Sequence, residues 1–191
     1  MNPKYPNIYL KAGRDYSLAK GHPWVFSGGI GKVEGKPATG DIVKAISADG
    51  KLLGLGFYNP RTDIAFRLLT SDTSQVIDEA FWEKRLVDAI ELRNRIVPPE
   101  TNACRMVNAE GDRLPGLIVD RYGEVLVVQT PGTQVGQRGF DLLGRLTFFQ
   151  AVHHFFERQT VGRNLDGVGG RHQRPDRAAG VFAVATVLCR E

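Results

Sequence analysis

Short apolar runs separated by turn residues fill residues 7–70 of the chain. Asp49-Gly50 lies between two of these runs and has the composition of a tight hairpin turn. The segment GRDYSLAKGH is predicted to form a short helical turn that ends at Gly21. Strands of this length and spacing predict a small closed barrel, which removes exposed sheet edges. The runs that we interpret as strands are NIYLK, WVFSGGI, GDIVKAI, KLLGLGFYN and IAFRLLT.

A helical pattern follows and begins at Asp78. Trp82, Leu86 and Ile90 recur every four residues, so they place an apolar stripe along one face. Asp78 is a good N-cap, because its carboxylate can accept a hydrogen bond from a free backbone N–H of the first turn. The sequence therefore predicts one amphipathic helix after the barrel.

Pro98 and Pro99 end this helix, because proline lacks the backbone donor and clashes with the preceding turn. A helix that stops at two prolines is typical of a boundary between domains. We therefore expect a first domain at 1–74, a linking helix at 75–100, the start of a central α+β domain at 101–130 and a divergent or frameshifted tail at 131–191.

The stretch NAEGDRLPGLIVDRYG introduces the second domain. It leads into GLIVD and VLVVQ, which are predicted strands, and a turn at Arg121–Glu124 joins them. Gly123 in that turn is expected to adopt positive φ, where a side chain would be strained. The stretch is thus predicted to form a hairpin.

Composition changes in the tail. Lysine does not occur after Lys84, whereas arginine and glycine become frequent beyond residue 130. FDLLGRLTFFQAVHHFFERQ has a helical pattern and predicts a helix over 139–158, and VFAVATVLC is a candidate last strand. Two interpretations remain open: a divergent remainder of the second domain, or a translation product of a shifted reading frame or a truncated gene.

The overall composition is that of a globular protein. The 191 residues are 42% hydrophobic and carry a formal net charge of +4, which permits a polyanionic partner without requiring one. No stretch approaches a membrane span, and the N-terminus lacks an apolar leader, so we expect a cytoplasmic protein without a membrane partner.

The sequence gives little indication of a metal site or of redox-active cysteines. Cys104 and Cys189 lie far apart and match no metal-binding or redox spacing, and we interpret them as reduced thiols. His153 and His154 are adjacent, so in a helix their side chains point about 100° apart and make a poor two-ligand clamp. We expect no metal site.

The barrel segments carry a resemblance to a known family. LKAGRDYSLAKGHPWVFSGGI, GDIVKAISADGKLLGLGFYNP and IAFRLL together resemble a PUA domain, a small RNA-binding pseudobarrel. Their form is similar to the N-terminal domain of bacterial large-subunit ribosomal RNA (cytosine-C5) methyltransferases. NAEGDRLPGLIVDRYGEVLVVQ resembles the start of the middle domain of those enzymes, which is built strand-strand-helix-strand-strand. The resemblance covers residues 7 to about 130.

The resemblance implies features that we do not find in the sequence. The family has a C-terminal doubly wound domain that binds S-adenosylmethionine, together with a cysteine nucleophile. VGRNLDGVGG is glycine-rich, but no apolar strand precedes it and no helical pattern follows. Cys189 lacks the proline-rich setting of the family's nucleophile. We therefore expect no catalytic residue and no cofactor-binding residue in this chain, with S-adenosylmethionine as the cofactor of the full-length family.

The resemblance also suggests which residues contact RNA. Lys11, Arg14, Lys20 and His22 cluster around the first predicted helix and are candidates for phosphate contacts. The alternative is an ordinary solvated face. Two further candidates flank the last barrel strands, Arg61 and Arg67.

Several aromatic and acidic residues admit a structural interpretation. Trp24 and Tyr58 could stack on bases, but buried structural roles are more common for such residues. The acids of the second domain lack metal-ligand spacing, and we interpret them as turn and strand-capping residues with nearby arginines as partners. The acids are Glu110, Asp112 and Asp120, and the arginines are Arg105 and Arg121.

The sequence thus predicts a mixed α+β, β-rich fold: an N-terminal PUA-like pseudobarrel, a linking helix and an incomplete strand-strand-helix-strand-strand domain. The functional hypothesis is the RNA-binding N-terminal portion of an S-adenosylmethionine-dependent 23S ribosomal RNA cytosine-C5 methyltransferase, with large-subunit ribosomal RNA as partner and no catalytic domain in this chain. The alternatives are a stand-alone PUA adaptor and a non-functional truncated or frameshifted product.

Overall fold

The structure is a computed structural model that describes residues 5–123, 125–130 and 183–188. The described part is β-rich, with two sheets and one long helix. No helix in these three segments is both long and apolar enough to cross a membrane. Four features of the sequence analysis lie outside the described residues: the predicted helix at 139–158, the run VGRNLDGVGG, the pair His153–His154 and Cys189.

The first sheet curls into the predicted barrel. Its strand order is β2-β6-β5-β4-β1-β3, with β1 parallel to β4 and every other neighbour antiparallel. The two edge strands, β2 and β3, are separated by only a 3₁₀ turn at Ser27–Gly29, so the sheet must close on itself. The strands are β1 (Asn7–Leu10), β2 (Trp24–Phe26), β3 (Ile30–Glu34), β4 (Ile42–Ile46), β5 (Leu52–Tyr58) and β6 (Ile64–Thr70).

The interpretation of WVFSGGI as one strand was wrong. The chain leaves β2 at Phe26, turns through Ser27–Gly29 and enters β3 at Ile30. Two adjacent glycines lack side chains to pack on a pleated surface, and they favour the turn over a continuous strand. The other four runs contain strands as predicted, and Gly50 takes φ 88° in the predicted hairpin turn.

Inward-facing residues of these strands fill the barrel. Ile8, Val43 and Phe66 are completely buried there. Strands β5 and β6 approach closely at Gly56, where an added Cβ would lie 2.5 Å from the Phe66 ring and clash with the Arg67 carbonyl oxygen. The short helix α1 (Tyr16–Ala19) closes one end by burying Leu18, and Gly21 follows with φ 89°.

The predicted amphipathic helix forms α2 (Glu79–Ile96). Asp78 caps it as expected, because its Oδ1 accepts the Phe81 N–H at 3.0 Å. Trp82, Leu86 and Ile90 are all buried, which confirms the predicted apolar face. Arg93 and Arg95 lie in the last turn, where positive charge complements the helix dipole.

The second sheet is antiparallel, with strand order β10-β9-β8-β7. Gly123 links β8 to β9 with φ 58°, as predicted for that turn. The strands predicted in GLIVD, VLVVQ and VFAVATVLC are confirmed, whereas the strand-strand-helix-strand-strand order of the domain stays a prediction. The strands are β7 (Ala103–Asn108), β8 (Ile118–Tyr122), β9 (Val125–Thr130) and β10 (Ala183–Leu188).

Helix α2 joins the two sheets through one apolar core. The Trp82 ring stacks on Phe57 of the barrel, with centroids 5.9 Å apart and planes at 12°. The same cluster includes Met106, Val107 and Val119 of the second sheet. The helix predicted as a linker is therefore part of the packing of both sheets, and the domain divisions at 74 and 100 stay predictions.

A shielded ion pair holds the end of α2 against the second sheet. Arg93 donates to both carboxylate oxygens of Asp112 at 2.6 and 2.7 Å, and the two side chains are only 11% and 6% exposed. Asp112 also accepts the Asn108 N–H at 2.5 Å. The sequence had left open which acid each arginine binds, and Asp112 binds Arg93, which it did not single out. Arg105 pairs with Asp120 as expected, while Arg121 donates to the Thr101 carbonyl oxygen.

We predict that Asp112→Ala lowers the free energy of unfolding by about 3 kcal/mol, because it leaves the shielded Arg93 guanidinium without its carboxylate. Urea denaturation followed by circular dichroism measures the change. The control is Lys84→Ala, which removes an exposed i,i+4 pair with Asp88 and should change stability by about 0.5 kcal/mol or less. Equal effects of the two substitutions would contradict this prediction.

Candidate nucleic-acid interface

The loops before and after α1 carry four of the predicted RNA-contacting residues at their surface. Lys11, Arg14, Lys20 and His22 are all exposed. Leu18 anchors the intervening helical turn in the barrel core, so the polar residues on either side face outward. The four predicted residues thus all lie exposed in the two loops that flank α1.

The glycine turn lies against the first two cations. The Lys11 ammonium donates to the Gly28 carbonyl oxygen at 2.9 Å, and the Lys11 backbone N–H donates to Gly29 at 2.9 Å. A Cβ placed on Gly29 would lie 3.6 Å from the Arg14 Cβ. These contacts fix the loop that carries Lys11 and Arg14 to the Ser27–Gly29 turn.

The second pair of cations lies next to aromatic rings. The Lys20 ammonium lies 5.8 Å from the centre of the Tyr16 ring. The His22 Nδ1 accepts the Trp24 backbone N–H at 3.2 Å, and the two rings meet edge to face at 5.8 Å. The surface therefore alternates positive and aromatic groups from α1 to β2.

Arg61 lies in the turn between β5 and β6, and its side chain is exposed. Its backbone N–H donates to the Asn59 side-chain oxygen at 3.0 Å, which shapes the turn. The same turn reaches the glycine turn, because the Ser27 N–H donates to the Asp63 carbonyl oxygen at 2.7 Å. Arg61 thus belongs to the same end of the barrel as the first four cations.

Arg67 differs from the other predicted RNA-binding residues. Its guanidinium forms an ion pair with Glu110 and lies 5.6 Å from the centre of the Trp24 ring. The Trp24 indole N–H donates to the same Glu110 oxygen at 3.0 Å. Arg67 is therefore engaged in holding the second sheet against the barrel.

Sequence reasoning missed this contact, because its partners lie 43 and 86 residues apart. Glu110 had been interpreted as a turn residue, and nothing in its neighbourhood in the sequence points to Trp24. Trp24 is half-buried, which agrees with a structural role for its indole. Tyr58, the other ambiguous aromatic, is buried in the barrel, and that burial raises its phenol pKa.

Lys32 lies on β3 but is neutralised locally. Its ammonium pairs with Glu34 at 2.7 Å, and the Tyr9 hydroxyl donates to the other oxygen of that carboxylate at 2.7 Å. The hydrogen bond from Lys32, followed by those from Tyr9 and Asn7, lowers the pKa of Glu34 to about 2. Lys32 is therefore a weaker candidate for phosphate contact than the unpaired cations near α1.

The larger described cavity, of about 450 Å³, lies between the end of α2 and the hairpin of β7 and β8. It is an unsuitable place for S-adenosylmethionine. The donor is ordinarily bound where a glycine-rich loop follows a parallel strand, with an acidic residue on the ribose. The second sheet is antiparallel in its described strands, and no Asp or Glu is among the residues lining the cavity. The residues lining this cavity do not fit the cofactor. The lining is Arg93, Asn94, Val97, Pro98, Pro99, Cys104, Met106 and Arg121.

Metal ligands are likewise not grouped in the described segments. Among residues 5–123, 125–130 and 183–188, no three His, Cys, Asp or Glu side chains come together as a metal site would require. Cys104 is a half-buried free thiol whose sulfur lies 3.4 Å from that of Met106.

Comparison with known proteins identifies relatives of this chain. A family model described as a PUA-like domain matches residues 8–71. The chain is 36% identical over 155 residues to Ribosomal RNA large subunit methyltransferase I of Pseudoalteromonas translucida, covering 81% of this chain and 39% of that protein. The protein of the same name from Vibrio cholerae is 38% identical over 168 residues, covering 87% of this chain and 42% of the relative.

Solved structures show a similar fold. A Streptococcus mutans protein named "a putative SAM-dependent methyltransferase" matches with a TM-score of 0.64 at 16% identity, over 78% of this chain and 38% of that one. Another structure with the same values is a methyltransferase, also named as putative, complexed with S-adenosylhomocysteine. Residues 8–71 thus form a PUA-like domain, and the chain, which spans about two-fifths of these relatives, is homologous to ribosomal RNA large subunit methyltransferases.

Proposed function

We propose that this chain binds structured large-subunit ribosomal RNA and is the RNA-binding part of an S-adenosylmethionine-dependent cytosine-C5 methyltransferase, acting in the cytoplasm. The observation that carries the proposal is the grouping of exposed cations around the glycine turn of the PUA-like barrel. The homology to ribosomal RNA methyltransferases supports the choice of RNA over other polyanions.

Phosphate binding follows from the charge of this surface. Lys11, Arg14 and Lys20 form no ion pair with the described residues, so their charge is available to a phosphate backbone. Each such contact releases a counterion condensed on the RNA, which is favourable and weakens as salt rises. The surface therefore positions RNA without reading base edges.

Arg61 and Arg67 have different roles in this proposal. Arg61 is exposed at the same end of the barrel and extends the phosphate-contacting surface. Arg67 acts as a positioning residue, because its charge is balanced by Glu110 and its guanidinium fixes the Trp24 ring. The RNA-contacting set is therefore Lys11, Arg14, Lys20, His22 and Arg61, with Arg67 behind it.

The described residues have no part in methyl transfer under this proposal. In an enzyme of this kind, S-adenosylmethionine supplies the methyl group and a cysteine attacks the pyrimidine ring. The described part of the chain offers RNA binding and orientation, and its larger cavity lacks the acidic group that a ribose requires. The 191-residue chain on its own is expected to bind RNA without modifying it.

We predict that Lys11→Ala and Lys20→Ala each reduce the slope of log K against log salt for ribosomal RNA fragments by about 1, because each removes about one phosphate contact. Fluorescence anisotropy titrations between low and physiological salt measure the slope. Lys84→Ala on α2 is the control and should leave the slope unchanged, because Asp88 already neutralises that lysine. Binding by the wild-type chain that is absent or independent of salt would overturn the proposal.

Arg67→Ala should lower stability and leave the salt slope unchanged, in contrast to the two lysine substitutions. We expect it to lower the free energy of unfolding by about 1–2 kcal/mol through loss of the charged hydrogen bond and the contact with Trp24. The salt slope should remain that of the wild type, because the residue is already paired. Denaturation and anisotropy measured on the same preparation separate the two effects. A slope reduced as much as in Lys11→Ala would place Arg67 in contact with RNA.

Incubation with radiolabelled S-adenosylmethionine should leave no label on the chain or on added ribosomal RNA, because the residues lining the larger described cavity do not fit the donor. Filter binding measures retention, and scintillation counting of the purified RNA measures transfer. Retention of the label at micromolar donor concentration would show that the chain holds a cofactor site.

A further inference from the structure

Two large aromatic side chains are exposed on the cationic surface. Tyr16 on α1 is 67% exposed, and Phe26 at the end of β2 is 54% exposed. Single exposed apolar residues are ordinary on protein surfaces, so exposure alone would carry no conclusion. Their positions among the cations distinguish these two.

Phe26 projects outward from the barrel wall. Its neighbour Val25 is buried in the core, whereas Phe26 is exposed beyond an irregularity in the pairing of β2 with β6. Phe26 immediately precedes the Ser27–Gly29 turn, where the Lys11 ammonium binds the Gly28 carbonyl oxygen. Phe26 therefore lies two residues before the carbonyl group to which the Lys11 ammonium donates.

Tyr16 lies on α1 beside a second cation. Lys20 lies 5.8 Å from its ring centre, and the next residue, Ser17, accepts the His22 backbone N–H at 3.0 Å. His22 in turn contacts Trp24, two residues before Phe26 along β2. Aromatic rings, with Lys20 at one end and Lys11 at the other, thus occur along one band from α1 through His22 and Trp24 to Phe26 and the glycine turn.

We propose that Tyr16 and Phe26 stack on unpaired bases of the bound RNA, a proposal that rests on the RNA-binding function above. An aromatic face accepts the flat face of any base, and the adjacent cations hold the phosphates that flank it. In a continuous duplex every base face is covered by its neighbours, so it offers no partner to these rings. The preferred substrate is therefore RNA with bulged, looped or otherwise unpaired nucleotides.

The charge of the band favours RNA over a protein partner. An apolar protein surface placed on Tyr16 and Phe26 would have to cover Lys11, Arg14 and Lys20 at the same time. Desolvating those cations without counter-charge is costly. A polyanion with exposed π faces satisfies both kinds of group together.

The test compares two RNA hairpins of the same length that differ only opposite two stem adenines, which face uridines and pair in one hairpin and face adenines and stay unpaired in the other. The unpaired hairpin carries 2-aminopurine at one of those positions. The 191-residue chain should bind it about tenfold more tightly than the paired hairpin and quench its fluorescence, as expected from one stacked base.

Tyr16→Ala and Phe26→Ala should each remove most of that preference, reduce the quenching and leave the salt slope unchanged. Phe26→Tyr and Tyr16→Phe should restore both, because they retain a ring. Tyr122→Ala is the matched control, since Tyr122 is an exposed aromatic of the second sheet at 55% exposure. Circular dichroism of every variant verifies that the fold is retained, as expected for exposed side chains.

The outcomes separate this inference from the function on which it rests. Salt-dependent binding of both hairpins with equal affinity, or aromatic variants that bind as the wild type does, would overturn the stacking role and leave the phosphate contacts standing. Failure to bind either hairpin would overturn the RNA-binding function itself, and the stacking role with it.

Discussion

The burial of one helix face determines how the described parts of this protein are arranged. Trp82 lies between the barrel, through its stacking on Phe57, and the second sheet, through the cluster that contains Val107 and Val119. Neither sheet could bury its share of this cluster without the helix. Burial of a side chain of this size contributes about 2–3 kcal/mol, so the arrangement is held mainly by apolar packing.

Electrostatic contacts refine that arrangement and divide the arginines and lysines into two groups. Carboxylates of β8 and of the turn between β7 and β8 pair with Arg67, Arg93 and Arg105. Lys11 and Lys20 are not paired with a carboxylate in the described part of the chain, and they lie around α1 where solvent reaches them. The first group holds the architecture, and the second is available to an anionic partner. A net charge as small as +4 conceals this separation.

Local patterns in the sequence predicted much of the fold. Asp78 and the spacing of Trp82 and Leu86 predicted the helix and its buried face, because capping and amphipathicity are properties of neighbouring residues. Gly50 and Gly123 marked their turns for the same reason, since each requires a backbone conformation that other residues avoid.

Contacts between distant residues were not predictable in this way. The pairing of Glu110 with Arg67 and Trp24 depends on how two sheets meet, and Asp112 selects Arg93 because the end of α2 comes within reach. Within the candidate site, the RNA-contacting role of the residues around α1 stays a prediction, and the structure adds that Lys11, Arg14 and Lys20 are exposed. The exposed positions of Tyr16 and Phe26 were not predicted, because the alternation along β2 alone does not say which of its faces is left uncovered.

The contact between Glu110 and Arg67 has a consequence for dissecting the protein. A barrel excised after residue 74 would lose the carboxylate that neutralises Arg67 and the indole that covers Phe57. Such a fragment would be more positively charged at its surface than the same residues in the intact chain. It would also expose the apolar surface around Phe57 to solvent. Its affinity for nucleic acid would therefore be higher than that of the intact chain. The fragment would also discriminate less between nucleic acids of different sequence and shape.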